Sequence, residues 1–219
     1  MLNFCSLYSG STGNCLLVQN EDTNLLVDAG VSLKKIEEAL SSICVAPNSI
    51  SGVVITHEHA DHICGLGYLS KKHNVPIYAN KETWAAIPQK QKDYLKEDNI
   101  KYFELEQILK IGSLDISPFS IPHDAANPCG FNIYHNKTKI SIATDLGHVS
   151  PDIYKKLENS SFILLESNYE PEVLRCGKYP YLLKQRIDGP NGHLSNPSAG
   201  QAISKLIPTG LTSVMLRTP

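Results

Sequence analysis

The chain has 219 residues, of which 42% are hydrophobic and 19% are charged, and this balance argues against a largely disordered protein. Its 20 basic residues nearly offset 22 acidic ones, and the formal charge of −2 excludes a protein that attracts nucleic acid or anionic membrane over its whole surface. The segment before the first charged side chain, Glu21, lacks the basic start and unbroken apolar run of a signal peptide, and no transmembrane helix is predicted. We therefore expect a cytoplasmic protein with no membrane association.

Six cysteines lie far apart along the chain, and none of them forms a C-x-x-C pair. A chain of this length can bury a core without disulfide bonds. We therefore expect reduced and mostly buried thiols rather than a disulfide framework.

The first half of the chain predicts strands first and then an alternation of strands and helices. Three short strands that form a β-meander are predicted at 2–7, 14–19 and 24–28. Ser32 is the predicted cap of a helix that runs to about Ile43. Further on, the pattern indicates a buried strand, an apolar periodic segment, a strand and a short helix at 53–56, 63–72, 75–79 and 82–87. The polar residues 89–110 are expected to form helix or loop at the surface.

The second half again alternates apolar runs with turn residues. Strands are predicted at 114–118, 130–135, 139–144, 162–166 and 211–216, and helices at 151–157 and 196–206. Asn136 and Lys137 make a plausible hairpin turn between two of these strands. Because no repeat or low-complexity linker is present, we predict one domain over residues 1–219.

The pattern H-x-H-x-D-H follows the buried strand directly, as His57, His59, Asp61 and His62. Three imidazoles and a carboxylate within six residues have no packing reason to sit together, whereas these donors suit divalent ions well. The alternative is a polar surface loop. Because alternate side chains at a strand end point the same way, His57 and His59 can bind one ion while Asp61 and His62 face a second.

A complete metal site needs ligands from elsewhere in the chain. His123 and Asp145 each end a predicted apolar strand, and they are the better candidates among the remaining residues. We therefore predict that both contribute to the metal site.

With these residues, the chain resembles the metallo-β-lactamase-fold hydrolases. Asp28 at the end of an early strand, the histidine pattern, His123 and Asp145 occur in that family's order and spacing. More narrowly, the chain is similar to the YycJ-like (WalJ-like) branch, which is related to ribonuclease J and the cleavage-factor nucleases. This narrower resemblance rests on four segments: SGSTGN at 9–14, LESNY at 165–169, YPYLLKQR at 179–186 and GHLSN at 192–196. The histidine pattern alone is shared by the whole superfamily and says little about the substrate.

The resemblance implies an α+β fold, a four-layer αββα sandwich with metals at one edge between its two sheets. It implies two divalent ions, zinc or manganese, with the first bound by His57, His59 and His123 and the second by Asp61 and His62, while Asp145 bridges the two. Asp28 is then not a ligand but orients the histidine loop. A hydroxide held by the metals is the expected nucleophile, and Asp61 is counted among the catalytic residues as well.

Glu166 and His193 bear on the choice of substrate. In the related nucleases, a carboxylate at the first position holds a histidine at the second, which donates a proton to the leaving oxygen or steadies the phosphate. The resemblance therefore implies two catalytic residues and a nucleic-acid substrate, DNA or RNA. The alternative is that Glu166 caps a helix or pairs with a lysine and that His193 merely precedes a helix. Nearby cations form either a basic surface for phosphates or an ordinary solvated face: Arg175, Lys178, Lys184 and Arg186.

The chain departs from the family after its last predicted strand. Only Arg217, Thr218 and Pro219 follow, where the relatives have a histidine that completes the second metal site and then a terminal helix. We therefore expect a weakened second metal site and impaired activity. The leading prediction is a phosphodiesterase or exonuclease, and two alternatives stay open: a thioester or lactone hydrolase of the same fold, and an inactive metal-binding remnant. Protein partners are not predicted.

Overall fold

The structure, a computed structural model, describes residues 1–217 and divides into two compact units. The first comprises Met1–Ile116 and Ala125–Asn127, and the second comprises Ser117–Asp124 and the described residues from Pro128 onward. The expectation about the family histidine after the last strand falls on Thr218 and Pro219, which lie outside the described residues. Within the described part, no helix is long and apolar enough to cross a membrane.

The strands of the first unit are β1 Asn3–Tyr8, β2 Cys15–Gln19, β3 Asn24–Val27, β4 Ile50–Val54, β5 Ile77–Ala79, β6 Ile100–Tyr102 and β7 Leu109–Ile111. Strands β1 to β6 form one sheet in chain order. The first three are antiparallel neighbours, which confirms the predicted meander, and β3 to β6 pair in parallel. This change of direction matters because parallel neighbours need crossover connections, which pack helices on the faces of the sheet and leave loops at the strand ends.

The helices of the first unit are α1 Leu33–Ser42, α2 Ala60–Ile63, α3 Leu66–His73, α4 Lys81–Ala86 and α5 Gln89–Lys92. Helices α1 and α3 bury Ile36, Leu40 and Leu69 in one apolar cluster with strand residues such as Leu26 and Val53. Ser32 precedes α1 as predicted, although its hydroxyl makes no capping hydrogen bond. The apolar periodicity of these helices therefore packs them on the sheet. The segment after β4 is tied to other parts of the unit by the Ala29 and Asn14 backbone N–H groups, which donate to the carbonyls of His62 and Asp61.

The second unit's elements are α6 Pro151–Leu157, α7 Pro171–Cys176, α8 Tyr181–Ile187, α9 Asn196–Leu206, and the strands β9 Cys129–His135, β10 Thr138–Ala143, β11 Phe162–Glu166 and β12 Ser213–Arg217. Strand β8, Leu114–Ser120, begins in the first unit, where it pairs with β7, and continues into the second. The sheet order is β12-β11-β10-β9-β8-β7. Strands β9 and β10 form the predicted hairpin, with Asn136 in the left-handed region at φ 54°.

Helices α6 and α9 cover the sheet of the second unit. Leu157, Ala199 and Leu206 lie in one buried cluster with Ile163 and Leu165 of β11. Strand β11 is parallel to both β10 and β12, so the ends of these strands lie at the same edge. Two mixed sheets with packed helices confirm the predicted α+β class.

Two segments differ from the prediction. Residues 89–110 were expected to form helix or loop, but they contain β6 and the first two residues of β7. Each of these strands has three residues, and β6 lies at a sheet edge with one neighbour, so neither carries the alternation that reveals a longer strand. Helices α7 and α8 were also not predicted, because each is shorter than two full helical turns of amphipathic pattern.

All six cysteines are free in the structure. Cys15 and Cys129 are buried, but Cys44, Cys64 and Cys176 are exposed. The prediction that most of them are buried was therefore wrong. Cysteine is small, so an exposed cysteine leaves little apolar area in water, and its residue type alone does not decide its burial.

Candidate metal centre

Three of the predicted histidine ligands come together where β4 leads into α2: His57 and His59 lie in the connecting loop and His62 lies in α2. The ring centroids of His57 and His62 are 4.0 Å apart, and those of His57 and His59 are 4.5 Å apart. His57 and His62 are almost completely buried. The buried strand β4 delivers the loop, and the short helix α2 turns back directly after His59, so residues close in sequence also converge in space.

The geometry of these imidazoles fits a divalent ion. His57 Nε2 lies 3.0 Å from His59 Nδ1. Two nitrogens bound to a tetrahedral zinc at 2.0–2.1 Å are separated by about 3.3 Å, so only a small adjustment separates this pair from a chelating arrangement. Neutral imidazole is also the form that binds metals, and burial favours the neutral ring.

Asp28 stabilises this loop through contacts with Thr56 and His62. Its carboxylate accepts hydrogen bonds from the Thr56 backbone N–H at 2.9 Å and from the Thr56 hydroxyl. It also lies 2.7 Å from His62 Nδ1. A carboxylate has no proton to donate near neutral pH, so Nδ1 carries the proton and the lone pair of Nε2 is left for a ligand role. Asp28 reaches this position through a left-handed backbone at φ 63°, directly after β3.

Asn14 contacts both predicted second-metal ligands of the first unit, and the sequence did not single it out. Its side-chain amide donates to Asp61 Oδ2 at 3.0 Å and lies 3.0 Å from His62 Nε2. Asp61 Oδ2 itself lies 3.3 Å from that ring nitrogen. The available signal was the segment at 9–14, whose turn carries Asn14 to this position: the Gly10 N–H donates to Asn14 Oδ1.

The remaining predicted residues lie together in the second unit. Asp145, Glu166 and His193 offer ligand atoms that all lie within 4.8 Å of one another. Each follows or ends an element at one edge of the sheet: β10, β11 and the loop before α9. His123, which follows β8, has its ring centroid 5.3 Å from that of His193. The ends of the neighbouring strands β10 and β11, the loop after β8 and the loop before α9 therefore bring together residues up to 70 positions apart in the sequence.

Glu166 is held rigidly and holds His193 in turn. Its Oε2 accepts hydrogen bonds from the backbone N–H groups of Leu146 and Leu194, at 2.9 and 3.1 Å. Its Oε1 accepts from Asn168 and lies 2.6 Å from His193 Nδ1. Glu166 therefore neither caps a helix nor pairs with a lysine through these contacts, and the predicted pairing of Glu166 with His193 is the geometry observed.

The two histidines of the second unit differ in their protonation. Burial lowers the pKa of His123, and nearby Asp145 and Asp124 only partly oppose this effect. Burial also acts to lower the pKa of His193, but the hydrogen bond and charge of Glu166, with Asp145, outweigh it and raise that pKa. His123 is thus kept neutral, as a metal ligand must be, while His193 retains its proton more readily than a free histidine.

Arg217 makes an ion pair that the sequence did not predict. Its guanidinium Nη1 lies 2.8 Å from Asp145 Oδ2, and both side chains are less than a tenth exposed. The pairing follows from topology, because β12 lies parallel to β11 with Arg217 in register with Glu166. Arg217, at the end of β12, is thus a buried cation in contact with Asp145, the carboxylate that the resemblance assigns as a metal ligand.

Residues 8–191 match the family described as "Metallo-beta-lactamase superfamily". The chain is 38% identical over 213 residues to "Exodeoxyribonuclease YycJ" of Bacillus anthracis, which covers 94% of this chain and 78% of that relative. It is 37% identical over 202 residues to "Exodeoxyribonuclease WalJ" of Streptococcus pneumoniae, with 92% of this chain and 75% of the relative covered. These relatives confirm the narrower resemblance seen in the sequence motifs.

A solved structure supports the same conclusion at the level of the fold. The metallo-beta-lactamase fold protein YhfI of Bacillus subtilis has a TM-score of 0.75 to this chain at 18% identity, covering 100% of this chain and 87% of YhfI. Likeness at this identity concerns the fold alone, and it confirms the predicted fold.

Proposed function

The chain belongs to the metallo-beta-lactamase superfamily, and from this we propose that it is a metal-dependent exonuclease that hydrolyses phosphodiester bonds of nucleic acid. The observation that carries the proposal is the pair of Glu166 and His193, joined at 2.6 Å beside Asp145. An alkoxide is a poor leaving group, so hydrolysis of a phosphodiester gains from a positioned acid. His193, with its raised pKa, is suited to give that proton to the leaving oxygen.

We propose that the metal ligands are those of the family pattern. They are His57, His59, Asp61, His62, His123 and Asp145. Bound divalent ions would activate a water molecule and neutralise charge on the phosphate. Zinc and manganese both suit these nitrogen and oxygen donors, and availability decides between them.

Asp28 is proposed as the residue that sets the tautomer of His62. Replacing Asp28 with asparagine keeps its shape but brings an amide N–H towards Nδ1, which favours the proton on Nε2 and blocks that nitrogen. We expect Asp28→Asn to weaken metal binding by about 10- to 100-fold, measured by titration against a competing chelator. Asp22→Asn, at an exposed carboxylate of the same unit, is the control and should leave the affinity unchanged. Equal affinities for the two variants would contradict this role.

We propose that the second divalent ion binds weakly because it must compete with Arg217 for Asp145. The guanidinium already neutralises this carboxylate in a buried site. The full chain should therefore bind close to one tightly held ion, and Arg217→Gln should tighten the second by at least about tenfold, since a buried carboxylate that loses its partner costs about 3–5 kcal/mol. Elemental analysis and calorimetric titration measure both quantities.

Arg175→Gln is the matched control, because Arg175 is exposed on α7. It should bind metal as the unaltered chain does. Two tightly bound ions in the unaltered chain, with no change in Arg217→Gln, would rule out competition.

The proposed function is tested by comparing substrate classes directly. Protein loaded with zinc or manganese is incubated with 5′-phosphorylated DNA and RNA oligonucleotides and, separately, with a thioester and a lactone. We expect mononucleotides to be released from DNA or RNA ends. Turnover of the thioester or lactone alone would instead support a small-molecule hydrolase, and no turnover of any substrate would support a metal-binding remnant.

We also propose that the protein acts in the cytoplasm. The free thiols support this location, since three of the six cysteines are exposed. Exposed thiols persist best in a reducing compartment.

A further inference from the structure

We infer that the exposed segment made of α7, α8 and the connection between them binds single-stranded nucleic acid, an inference that rests on the proposed nuclease function and names its substrate more narrowly. The residues proposed to bind, called the tyrosine platform below, are Arg175 of α7, Lys178 and Tyr179 of the connection, and Tyr181 and Leu182 of α8. The two tyrosines are 58% and 72% exposed, and Leu182 is 78% exposed.

The platform is unusual because its helices turn apolar residues outward. Helix α8 has no buried residue among its described positions, and in α7 only Leu174 is buried. Single exposed apolar side chains are common, but here two tyrosines and a leucine, each more than half exposed, lie within four consecutive residues. Exposed apolar residues grouped in this way are typical of a binding surface.

The charge of the platform favours a polyanion. From Val173 to Ile187 the chain has four cations and no acid, with Glu172 and Asp188 flanking this stretch. Lys184 Nζ donates to the Arg175 backbone carbonyl, and Asp188 accepts from the Tyr169 hydroxyl. Among the described residues, no ion pair involves Arg175 or Lys178, which leaves both cations available for phosphates.

The platform is also tied to the proposed acid of the second unit. At the end of α8, Arg186 Nε donates to Asp124 at 2.5 Å, and Asp124 is the neighbour of His123. The His193 backbone N–H donates to the Ile187 carbonyl at 2.9 Å. These contacts place the C-terminal end of α8 beside His193, and Tyr181 begins the same helix, about 9 Å along its axis. A nucleic-acid strand whose end reaches His193 could therefore extend along α8 to the tyrosines.

Stacking chemistry selects a single strand rather than a duplex. Base faces stack on exposed aromatic rings when bases are unpaired, while a duplex keeps those faces covered. Tyrosine and leucine could also contact a protein or a lipid surface, but the neighbouring free cations favour phosphates. The geometry thus combines the two elements of single-strand recognition, aromatic rings and cations that follow the backbone.

The test measures binding of metal-loaded full-length protein to a fluorescent phosphorothioate oligothymidylate and to a duplex of the same length. Tyr181→Ala should weaken single-strand binding by at least about fivefold and leave duplex binding unchanged. Tyr181→Phe should keep the binding, because the ring remains. Tyr102→Ala is the matched control, at a tyrosine of the first unit that is 61% exposed.

Two kinetic readings separate this inference from the proposed function. Hydrolysis of bis(p-nitrophenyl) phosphate, which is too small to reach the platform, should be equal in Tyr181→Ala and the unaltered chain. Hydrolysis of single-stranded DNA should fall with the binding. If the unaltered chain hydrolyses DNA but Tyr181→Ala binds and hydrolyses it equally well, the binding role of the tyrosine platform is contradicted and the proposed nuclease function is not affected. Binding of anionic phosphatidylglycerol vesicles in preference to the oligonucleotide would contradict that binding role as well. If the unaltered chain hydrolyses no nucleic acid, the proposed function fails, whatever the oligonucleotide binding shows.

Discussion

Replacing His193 with alanine is expected to lower kcat for DNA hydrolysis by about 10²- to 10⁴-fold, the range for loss of a positioned general acid. Glu166 is fixed by two backbone N–H groups and holds the imidazole at 2.6 Å, so the proton donor is preorganised. The effect should depend on the leaving group. With p-nitrophenolate, which leaves without protonation, the loss should stay below about tenfold.

The matched control is His148→Ala. His148 is exposed in the same unit, where its Nδ1 lies 3.0 Å from the Pro190 carbonyl, and its loss should leave kcat unchanged. Metal content measured on both variants separates a catalytic loss from a structural one. An equal loss on DNA and on the nitrophenyl ester would show that His193 is not the acid.

Replacing Gly30 with alanine is expected to destabilise the chain by at least about 3 kcal/mol and to displace the histidine loop. A Cβ at Gly30 would lie 1.6 Å from the Asp61 carbonyl oxygen and 2.6 Å from the Asn14 backbone nitrogen. Neither neighbour can rotate away, because both are backbone atoms: the Asn14 N–H donates to that same carbonyl at 2.8 Å. Urea unfolding measures the free energy of unfolding, and metal titration measures whether the displaced histidine loop has lost affinity for metal.

Gly200→Ala is the matched control for this change. Gly200 lies within α9, and nothing lies within 4 Å of a Cβ built there. Alanine at an open helical position stabilises by up to about 1 kcal/mol, so the two substitutions should shift stability in opposite directions. A Gly30→Ala chain as stable as the unaltered one would show that the loop can move away from Gly30.

The sequence predicted the elements whose pattern is long or strongly periodic. Helix α9 and strand β11 have the predicted bounds, because a capped amphipathic helix and a continuous apolar run are both local signals. The short edge strand β6 was missed, since its pairing with β5 depends on residues 23 positions earlier in the chain. Pairing with a distant strand produces no recognisable sequence pattern in a segment of three residues.

The same division applies to the candidate site. His57, His59, Asp61 and His62 are close in sequence, so their chemistry was readable as a pattern. Asp28 could be recognised only through the resemblance, and its contact with His62 spans 34 positions.

The sequence by itself determined that this chain carries metal-binding chemistry, because imidazoles and carboxylates at close spacing report their donor set without a structure. It also indicated the acid pair, by resemblance to relatives rather than by contact. Only the tertiary structure determines which side chains contact the carboxylates of Asp61 and Asp145. It placed Asn14 against Asp61 and His62 and set a buried Arg217 against Asp145, contacts of 47, 48 and 72 positions in the chain. Such contacts arise from strand order and register, which no local pattern of side chains specifies.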